Sequence, residues 1–232
     1  MKVGGMLVEV VRKPIKNLHV SVHPPDGRVR VSAPSLLDDE AVRLAVVSRL
    51  SWIRRHQRRF AEQPRQSQRE MVTGESHYYM GRRYRLNVLE HSGPNRVNIN
   101  GNSELRMQVR PGADRDKRES VLTEWYRQQL KALVPDLIAQ WQPVVGVEVA
   151  DWGVKKMKTR WGSCNVRERR IWLNLELAKK PRHCIEYVLV HEMVHLLERH
   201  HNERFKALLD ELIPQWRLYR DELNQRPLSH EE

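Results

Sequence analysis

The chain has 232 residues, of which 40% are apolar and 30% are charged, a composition typical of a soluble globular protein with one or two domains. Its 41 Lys and Arg residues against 29 Asp and Glu give a formal charge of +12, which favours polyanionic partners or a solubilising surface. No apolar run approaches the roughly 18–20 residues of a membrane helix, and we expect no export signal. Because two cysteines make no disulfide framework, we expect reduced thiols and a cytoplasmic location.

The first third of the chain is predicted to be mostly β-structure. Alternating apolar residues on both sides of "PPDG" (24–27) predict a hairpin over 18–34, since Asp and Gly tolerate turn dihedrals. A helix is predicted over 35–60, with Ser35 as its cap, and a polar linker follows at 61–71. The apolar side of this helix is assigned to Leu44, Val47, Trp52 and Ile53.

The rest of the chain alternates between predicted strands and helices. Short alternating runs predict strands between 72 and 110, and helical spacing takes over from about 114 to 141. Pro135 is expected to kink or delimit that helix. The later predicted elements are a strand at 144–150, a hairpin of 154–161 with 170–177, and helices that begin at Pro181 and near residue 203.

The most informative motif is "VLVHEMVHLLERHHNERF" (188–205), which contains four of the chain's eleven histidines. On a helix, His191 and His195 project from one face, because residues four apart differ by only about 40° in direction. Their imidazoles can therefore share one zinc ion, while Glu192 on a neighbouring face can reach a metal-bound water. The surrounding residues are apolar, and buried histidines and a buried glutamate without a partner would be costly. The motif therefore predicts a metal site.

A catalytic zinc ion usually has three protein ligands and one open position, so a third ligand is needed. The candidates are His200, His201 and acidic residues further along the chain. An unbroken helix would place His201 about 15 Å from His191 along the axis, too far to share an ion. We therefore expect the helix to end soon after Leu197 and the chain to turn back before a new helix starts at Asn202. His201 is preferred as the third ligand, and His200 is the second choice.

Several segments together resemble a known family. "TRWGSC" (159–164), "WLNLEL" (172–177) and "YVLVHEMVHLLERHHNERF" (187–205) resemble the YgjP-like metallopeptidases, zincin-type hydrolases that are related to the SprT-like proteases. The N-terminal segments that match the same family are "PPDGRVRVSAP" (24–34) and "YYMGRRYRLNV" (78–88). The resemblance covers most of the chain, from about residue 18 to about residue 220.

This resemblance implies a fold, a metal site and a division into domains. The implied fold is α+β with a zincin-like core, in which a mixed or antiparallel sheet packs on helices and one helix carries the HExxH motif. His191, His195 and His201 would bind one Zn²⁺ ion, although imidazoles also bind other divalent metals, and Glu192 would be the catalytic acid/base. The predicted parts are a β-rich N-terminal part with one arginine-rich helix (1–112), a zincin-like metal-binding catalytic domain (113–224) and a flexible tail (225–232).

The favoured function is a zinc metallopeptidase in which Glu192 acts as general base toward a metal-activated water. The alternative is a metal-dependent nucleoside triphosphate pyrophosphatase acting on UTP, an activity also associated with the family. The predicted substrate-binding residues are Lys158, Arg160 and Trp161. If the segment "VKKMKTRWGSC" is extended beside the metal, it can pair with a peptide backbone or clamp phosphate oxygens. A solvated strand face is the other explanation.

The arginine-rich stretch "RLSWIRRHQRRF" (49–60) suggests a third interpretation, a nucleic-acid-associated protease or binding module. Its arginines would give weak, salt-dependent binding without sequence preference; they are Arg54, Arg55, Arg58 and Arg59. A solvated helix face is the favoured explanation, because a charge run alone is weak evidence for nucleic-acid binding. The sequence predicts no membrane contact and carries no signal for a particular oligomeric state.

Overall fold

The computed structural model describes residues 1–23, 27–62 and 69–225, although the side chains of 59–62 and 225 are outside the description. The chain forms two compact units, which comprise the described residues of Met1–Ser67 and those of Gln68–Ser229. The tip of the predicted hairpin and all of the predicted tail except residue 225 lie outside the described residues.

The first unit is a four-stranded sheet with two helices. Its elements are β1 (Lys2–Val3), β2 (Met6–Lys13), β3 (His19–His23), β4 (Arg28–Pro34), α1 (Asp39–Val47) and α2 (Leu50–Glu62), and the strand order is β1-β2-β4-β3. The predicted hairpin is confirmed, because β3 and β4 are antiparallel with Val20 opposite Val31. Val29, Val31 and Ala33 alternate along β4 and are buried in the core of this unit.

The single helix predicted over 35–60 is wrong in three respects. It begins later, because the Asp38 carboxylate, and not Ser35, accepts the hydrogen bond from the Ala41 N–H at 2.6 Å. It is divided at Ser48, whose hydroxyl donates to the Ala45 carbonyl where α1 ends. Its buried face also differs, since the predicted Leu44, Val47 and Trp52 are exposed. Among the side chains that the structure describes on these helices, Val42, Val46 and the predicted Ile53 are buried.

The second unit begins with a sheet whose strand order is β5-β6-β8-β7. These strands and the long helix that follows are β5 (Ser76–Tyr79), β6 (Arg82–Glu90), β7 (Arg96–Asn100), β8 (Glu104–Val109) and α3 (Arg115–Val145). The division predicted at 112/113 falls inside this unit, because side chains such as Leu105 on β8 and Leu130 on α3 share one core. The helix continues through Pro135, so the proline does not delimit it.

The remaining elements carry the candidate site. They are β9 (Asp151–Lys155), β10 (Gly162–Asn165), β11 (Arg170–Asn174), a 3-10 helix (Leu175–Lys179), α4 (Arg182–Val194), α5 (Glu203–Leu212) and α6 (Trp216–Gln225). The strand predicted at 144–150 is wrong, because α3 continues to Val145 and Gly146 ends it with φ 75°. Residues 156–161 form a loop and not a strand. The hairpin is made instead by β10 and β11, while β9 lies parallel to β11.

Within the described residues, one pattern of strand connection occurs three times. In each case the first and third strands are parallel, and the second is antiparallel to the third. The three sets are β2-β3-β4, β6-β7-β8 and β9-β10-β11. The predicted α+β class with mixed sheets is therefore confirmed, although the sequence itself contains no visible repeat. None of the described helices combines the length and the apolarity needed to cross a bilayer.

Candidate metal centre and cleft

The histidine motif lies where α4 ends and α5 begins. α4 includes His191 and Glu192, and His195 is its C-terminal cap residue. The chain then turns, and the Asn202 side chain caps α5 by accepting a hydrogen bond from the Phe205 N–H at 3.0 Å. The predicted new helix with its cap at Asn202 is present, whereas α4 ends at Val194, before the end predicted soon after Leu197. This turn brings His201 back toward α4, which an unbroken helix could not do.

Three imidazoles converge in this turn. His191, His195 and His201 each offer one ring nitrogen, and these nitrogens lie within 4.8 Å of one another. Nε2 of His191 faces Nε2 of His201 at 3.0 Å. Two such nitrogens repel each other if both present lone pairs, whereas a cation between them can accept both lone pairs as ligands. His200 is exposed and does not belong to this cluster.

The protonation of the cluster suits a divalent cation. Burial, together with the neighbouring imidazoles His195 and His201, lowers the pKa of His191 to about 3. Burial also lowers the pKa of His195. Nδ1 of His195 lies 3.2 Å from the Glu198 carbonyl oxygen, so a proton on Nδ1 leaves the Nε2 lone pair available. Nδ1 of His191 is buried without a hydrogen-bond partner within the described residues. Neutral imidazoles are the form that binds metals, and the residues therefore fit a zinc-type ion.

Phe205 packs against all three imidazoles. The centroid of its ring lies 4.9 Å from that of His191, and 4.7 Å from those of both His195 and His201. Phe205 is 2% exposed and lies in the first turn of α5. It therefore restricts the directions that the three rings can take. The sequence alone did not identify Phe205 as part of the site, because its ring contacts depend on the turn.

Glu192 lies beside this cluster and is 6% exposed. Burial raises the pKa of its carboxyl group to about 8, and the charge of Arg160 acts in the opposite direction. Gly162 on β10 makes room for this side chain, since a Cβ atom there would lie 2.6 Å from Oε1 of Glu192. A buried carboxylate beside neutral imidazoles has little compensation for its charge. A cation at the cluster would provide that compensation.

Comparison with known proteins assigns the chain to a family. The model of the YgjP-like metallopeptidase domain matches residues 16–226, which is nearly the whole chain. The chain belongs to the YgjP-like metallopeptidase family. This YgjP-like protein is therefore assigned to the metal-dependent hydrolases, and its family implies a divalent metal. A search of curated proteins found no match.

Solved structures that resemble this YgjP-like protein include two metallopeptidase zymogens. Abylysin from Pyrococcus abyssi is 18% identical with a TM-score of 0.36, and the match covers 41% of this chain and 99% of that one. Jannalysin from Methanocaldococcus jannaschii is 16% identical with a TM-score of 0.36, and the match covers 40% of this chain and 94% of that one.

The loop before β10 is organised by Asn174, a buried residue at the end of β11. Its amide donates to the carbonyl oxygens of Met157 at 2.9 Å and of Arg160 at 2.7 Å. Its side-chain oxygen accepts from the Met157 N–H at 3.3 Å. These bonds explain why residues 156–161 form a loop, so the extended arrangement considered for this part of "VKKMKTRWGSC" does not occur. The feature of the sequence that could have indicated this loop is Asn174, a polar residue within the mostly apolar segment "WLNLEL".

A cleft of about 1000 Å³ opens beside the cluster, and β10, α4 and α6 contribute to its walls. Of the predicted substrate-binding residues, Arg160 and Trp161 line it, whereas Lys158 is exposed and does not. Lys180 Nζ lies 4.9 Å from the centre of the Trp161 ring, a cation–π contact that fixes the indole. Cys164 also lines the cleft. Burial and the charge of Glu192 raise its pKa to about 11, so it is a thiol at neutral pH.

The charge of this cleft comes mainly from arginine. The guanidinium-bearing residues that line it are Arg160, Arg167, Arg199 and Arg220. Among the lining residues that the structure describes, Glu192 is the only acid. Of these four arginines, only Arg160 was predicted from the sequence, since the other three come from a hairpin turn, the histidine turn and α6. The arginines singled out in the N-terminal helix belong to the first unit, where Arg54, Arg55 and Arg58 are exposed on α2.

Proposed function

We propose that this protein is a zinc-dependent peptidase in which His191, His195 and His201 hold one ion and Glu192 is the general base. The observation that carries this proposal is the convergence of three imidazole nitrogens within 4.8 Å beside a buried glutamate. The neutral state of His191 supports it, because a ligand must present a lone pair. Membership of a metallopeptidase family gives independent support.

Each residue of the site has a distinct part in this reaction. When bound, a zinc ion supplies Lewis-acid polarisation of a water molecule and of the scissile carbonyl. Glu192 takes a proton from the attacking water and delivers it to the leaving amide nitrogen. Gly162 keeps space open for the Glu192 carboxylate. The His195 ring is oriented by the Glu198 carbonyl, and Phe205 limits the movement of all three imidazoles.

The strand beside the site favours a peptide as substrate. β10 is an edge strand of its sheet, where it pairs with β11, and all four of its residues line the cleft. An edge strand can pair with an extended peptide through backbone hydrogen bonds, which hold the peptide without selecting its side chains. A peptide aligned with β10 would pass Gly162 and therefore Glu192.

The decisive experiment compares the zinc-loaded protein with its Glu192→Gln variant on an unfolded protein substrate. We expect proteolysis by the wild-type protein, and a loss of about 10²-fold or more in the variant, because the general base is removed. Glutamine preserves the size of the side chain, so both proteins should bind one equivalent of zinc. Equal proteolysis by the two proteins at equal zinc content would contradict the proposal.

A second candidate is hydrolysis of a nucleoside triphosphate such as UTP. The arginines of the cleft favour it, because guanidinium groups bind phosphate oxygens in bidentate fashion. The same pair of proteins can be incubated with UTP while pyrophosphate release is measured. Release that depends on Glu192 in the absence of any proteolysis would favour this candidate over the peptidase.

A further inference from the structure

We propose that the cleft selects peptides with acidic side chains on both sides of the scissile bond, and that Arg160, Arg167, Arg199 and Arg220 bind those side chains. This inference rests on the proposed peptidase function and adds a substrate class to it. Its basis is the number of arginines in the cleft, the absence of an ion pair for three of them within the described residues, and their placement around β10.

Several arginines of the second unit are neutralised by a carboxylate. Examples are Arg106–Glu104 at 2.9 Å and Arg170–Asp151 at 2.6 Å. By contrast, Arg160, Arg167 and Arg199 form no ion pair with any residue that the structure describes. Within the same residues, Arg220 pairs with the adjacent Asp221 at 3.0 Å, and its guanidinium lies 5.3 Å from the centre of the Trp216 ring.

Four positive charges around one cleft repel each other. Glu192 is the only acid among the lining residues that the structure describes, and Asp221 compensates for Arg220 alone. Glu192 serves the proposed proton transfer and so cannot pair permanently with an arginine. A bound substrate with carboxylates would reduce this repulsion. The cleft should therefore bind an acidic ligand more tightly than a neutral ligand of the same shape.

The arginines also have positions that suit an extended peptide. Arg160 lies two residues before the start of β10, and Arg167 lies two residues after its end. A strand of four residues is about 13 Å long, so a peptide paired with β10 has a guanidinium near each end. Arg199 comes from the turn that carries His201, and Arg220 comes from α6 across the cleft.

Binding measurements on the zinc-loaded Glu192→Gln variant test this selectivity without cleavage. Two labelled decapeptides would be compared, identical except that Asp and Glu in one are Asn and Gln in the other. We expect the acidic peptide to bind about tenfold more tightly at low salt, since each exposed ion pair contributes a factor of about two to five. The difference should shrink at high salt, where exposed charges are screened. Equal affinities at low salt would overturn the inference.

Charge reversal gives a second readout and a matched control. In the same Glu192→Gln background, Arg167→Glu and Arg199→Glu should each weaken binding of the acidic peptide and strengthen binding of a lysine-containing analogue. Arg96→Glu makes the same change on β7 outside the cleft, and it should leave both affinities nearly unchanged. An effect of Arg96→Glu equal to that of the cleft variants would overturn the inference, because net charge alone would then explain the binding.

Cleavage by the wild-type protein separates this inference from the peptidase proposal. Equal kcat/KM for the acidic and neutral peptides would overturn the acidic preference and leave the peptidase proposal intact. Selective binding of the acidic peptide with cleavage of neither would overturn the peptidase proposal alone. If Arg167→Glu abolishes UTP hydrolysis while both peptides bind equally, the arginines serve phosphate groups and the inference is overturned.

Discussion

Gly162 packs directly against the carboxylate of Glu192. A Cβ atom at position 162 would lie 2.6 Å from Oε1 and 2.8 Å from Cγ of Glu192, well inside van der Waals contact. Glu192 is buried, so its side chain has little free space into which it can move. The position of the proposed general base therefore depends on the absence of a side chain on β10.

Gly162→Ala should impair activity without removing the metal. We expect a loss of about 10- to 100-fold in kcat, because displacement of a catalytic group by about 1 Å has effects of this size. Proteolysis and zinc content would be measured on the same sample. Gly112→Ala is a useful control, since Gly112 has φ 75° but no neighbour within 4 Å of an added Cβ. It should lower stability by about 1 kcal/mol through backbone strain and leave kcat unchanged. Normal activity in Gly162→Ala would contradict the proposed role.

The adjacent histidines at positions 200 and 201 provide a sharp test of the metal ligands. His201→Ala should lose zinc, because it removes one of the three converging nitrogens. His200→Ala should retain one equivalent, since His200 is exposed and outside the cluster. Zinc content after dialysis, measured by atomic emission, distinguishes the two. Loss of zinc in His200→Ala with retention in His201→Ala would reverse the assignment.

Phe205→Leu should weaken metal binding, although this substitution removes no metal ligand. The aromatic ring contacts all three imidazoles, and residues that orient ligands affect metal affinity by about 10- to 100-fold. Zinc affinity can be measured by competition with a chromophoric chelator. Leu209→Ala is the matched control, because Leu209 is a buried residue of the same helix. It should cost about 2–5 kcal/mol of stability with a smaller change in affinity.

His77 should make the stability of the metal-free protein depend on pH. It is 3% exposed on β5, and burial lowers its pKa from 6.5 to about 4, with Arg69 and Lys179 acting in the same direction and Glu75 against it. Because the folded pKa lies below the unfolded one, the unfolded state binds more protons between pH 6.5 and 4. The contribution of His77 to stability is therefore present above pH 6.5 and is lost as the pH falls.

The His77→Gln variant isolates the contribution of His77 to the pH dependence of stability from that of the other ionisable groups. Between pH 7 and pH 5, the wild-type protein should lose about 2 kcal/mol more unfolding free energy than His77→Gln. Urea denaturation of both proteins with a chelator present would measure the difference. Parallel pH profiles for the two proteins would show that His77 does not contribute.

The amino-acid sequence determined the local features of this protein. Helical spacing placed His191 and Glu192 on one helix, and the requirement for a third ligand predicted a turn before Asn202, which the structure contains. Alternating and helical periods, which depend on neighbouring residues alone, predicted a mixture of strands and helices, and the resemblance implied the α+β class. The family segments extended the resemblance over most of the chain, and the family model confirms it.

Only the tertiary structure decided which distant residues meet. Gly162 and Glu192 are separated by thirty positions in the chain, and their contact exists because β10 lies beside α4. The loop at 156–161 was predicted as a strand because its bonds to Asn174 are not a periodic feature. The cleft arginines come from separate elements, so the sequence could not show that they line one cleft. Periodicity records which face of an element is buried, whereas contacts between elements depend on how the whole chain packs.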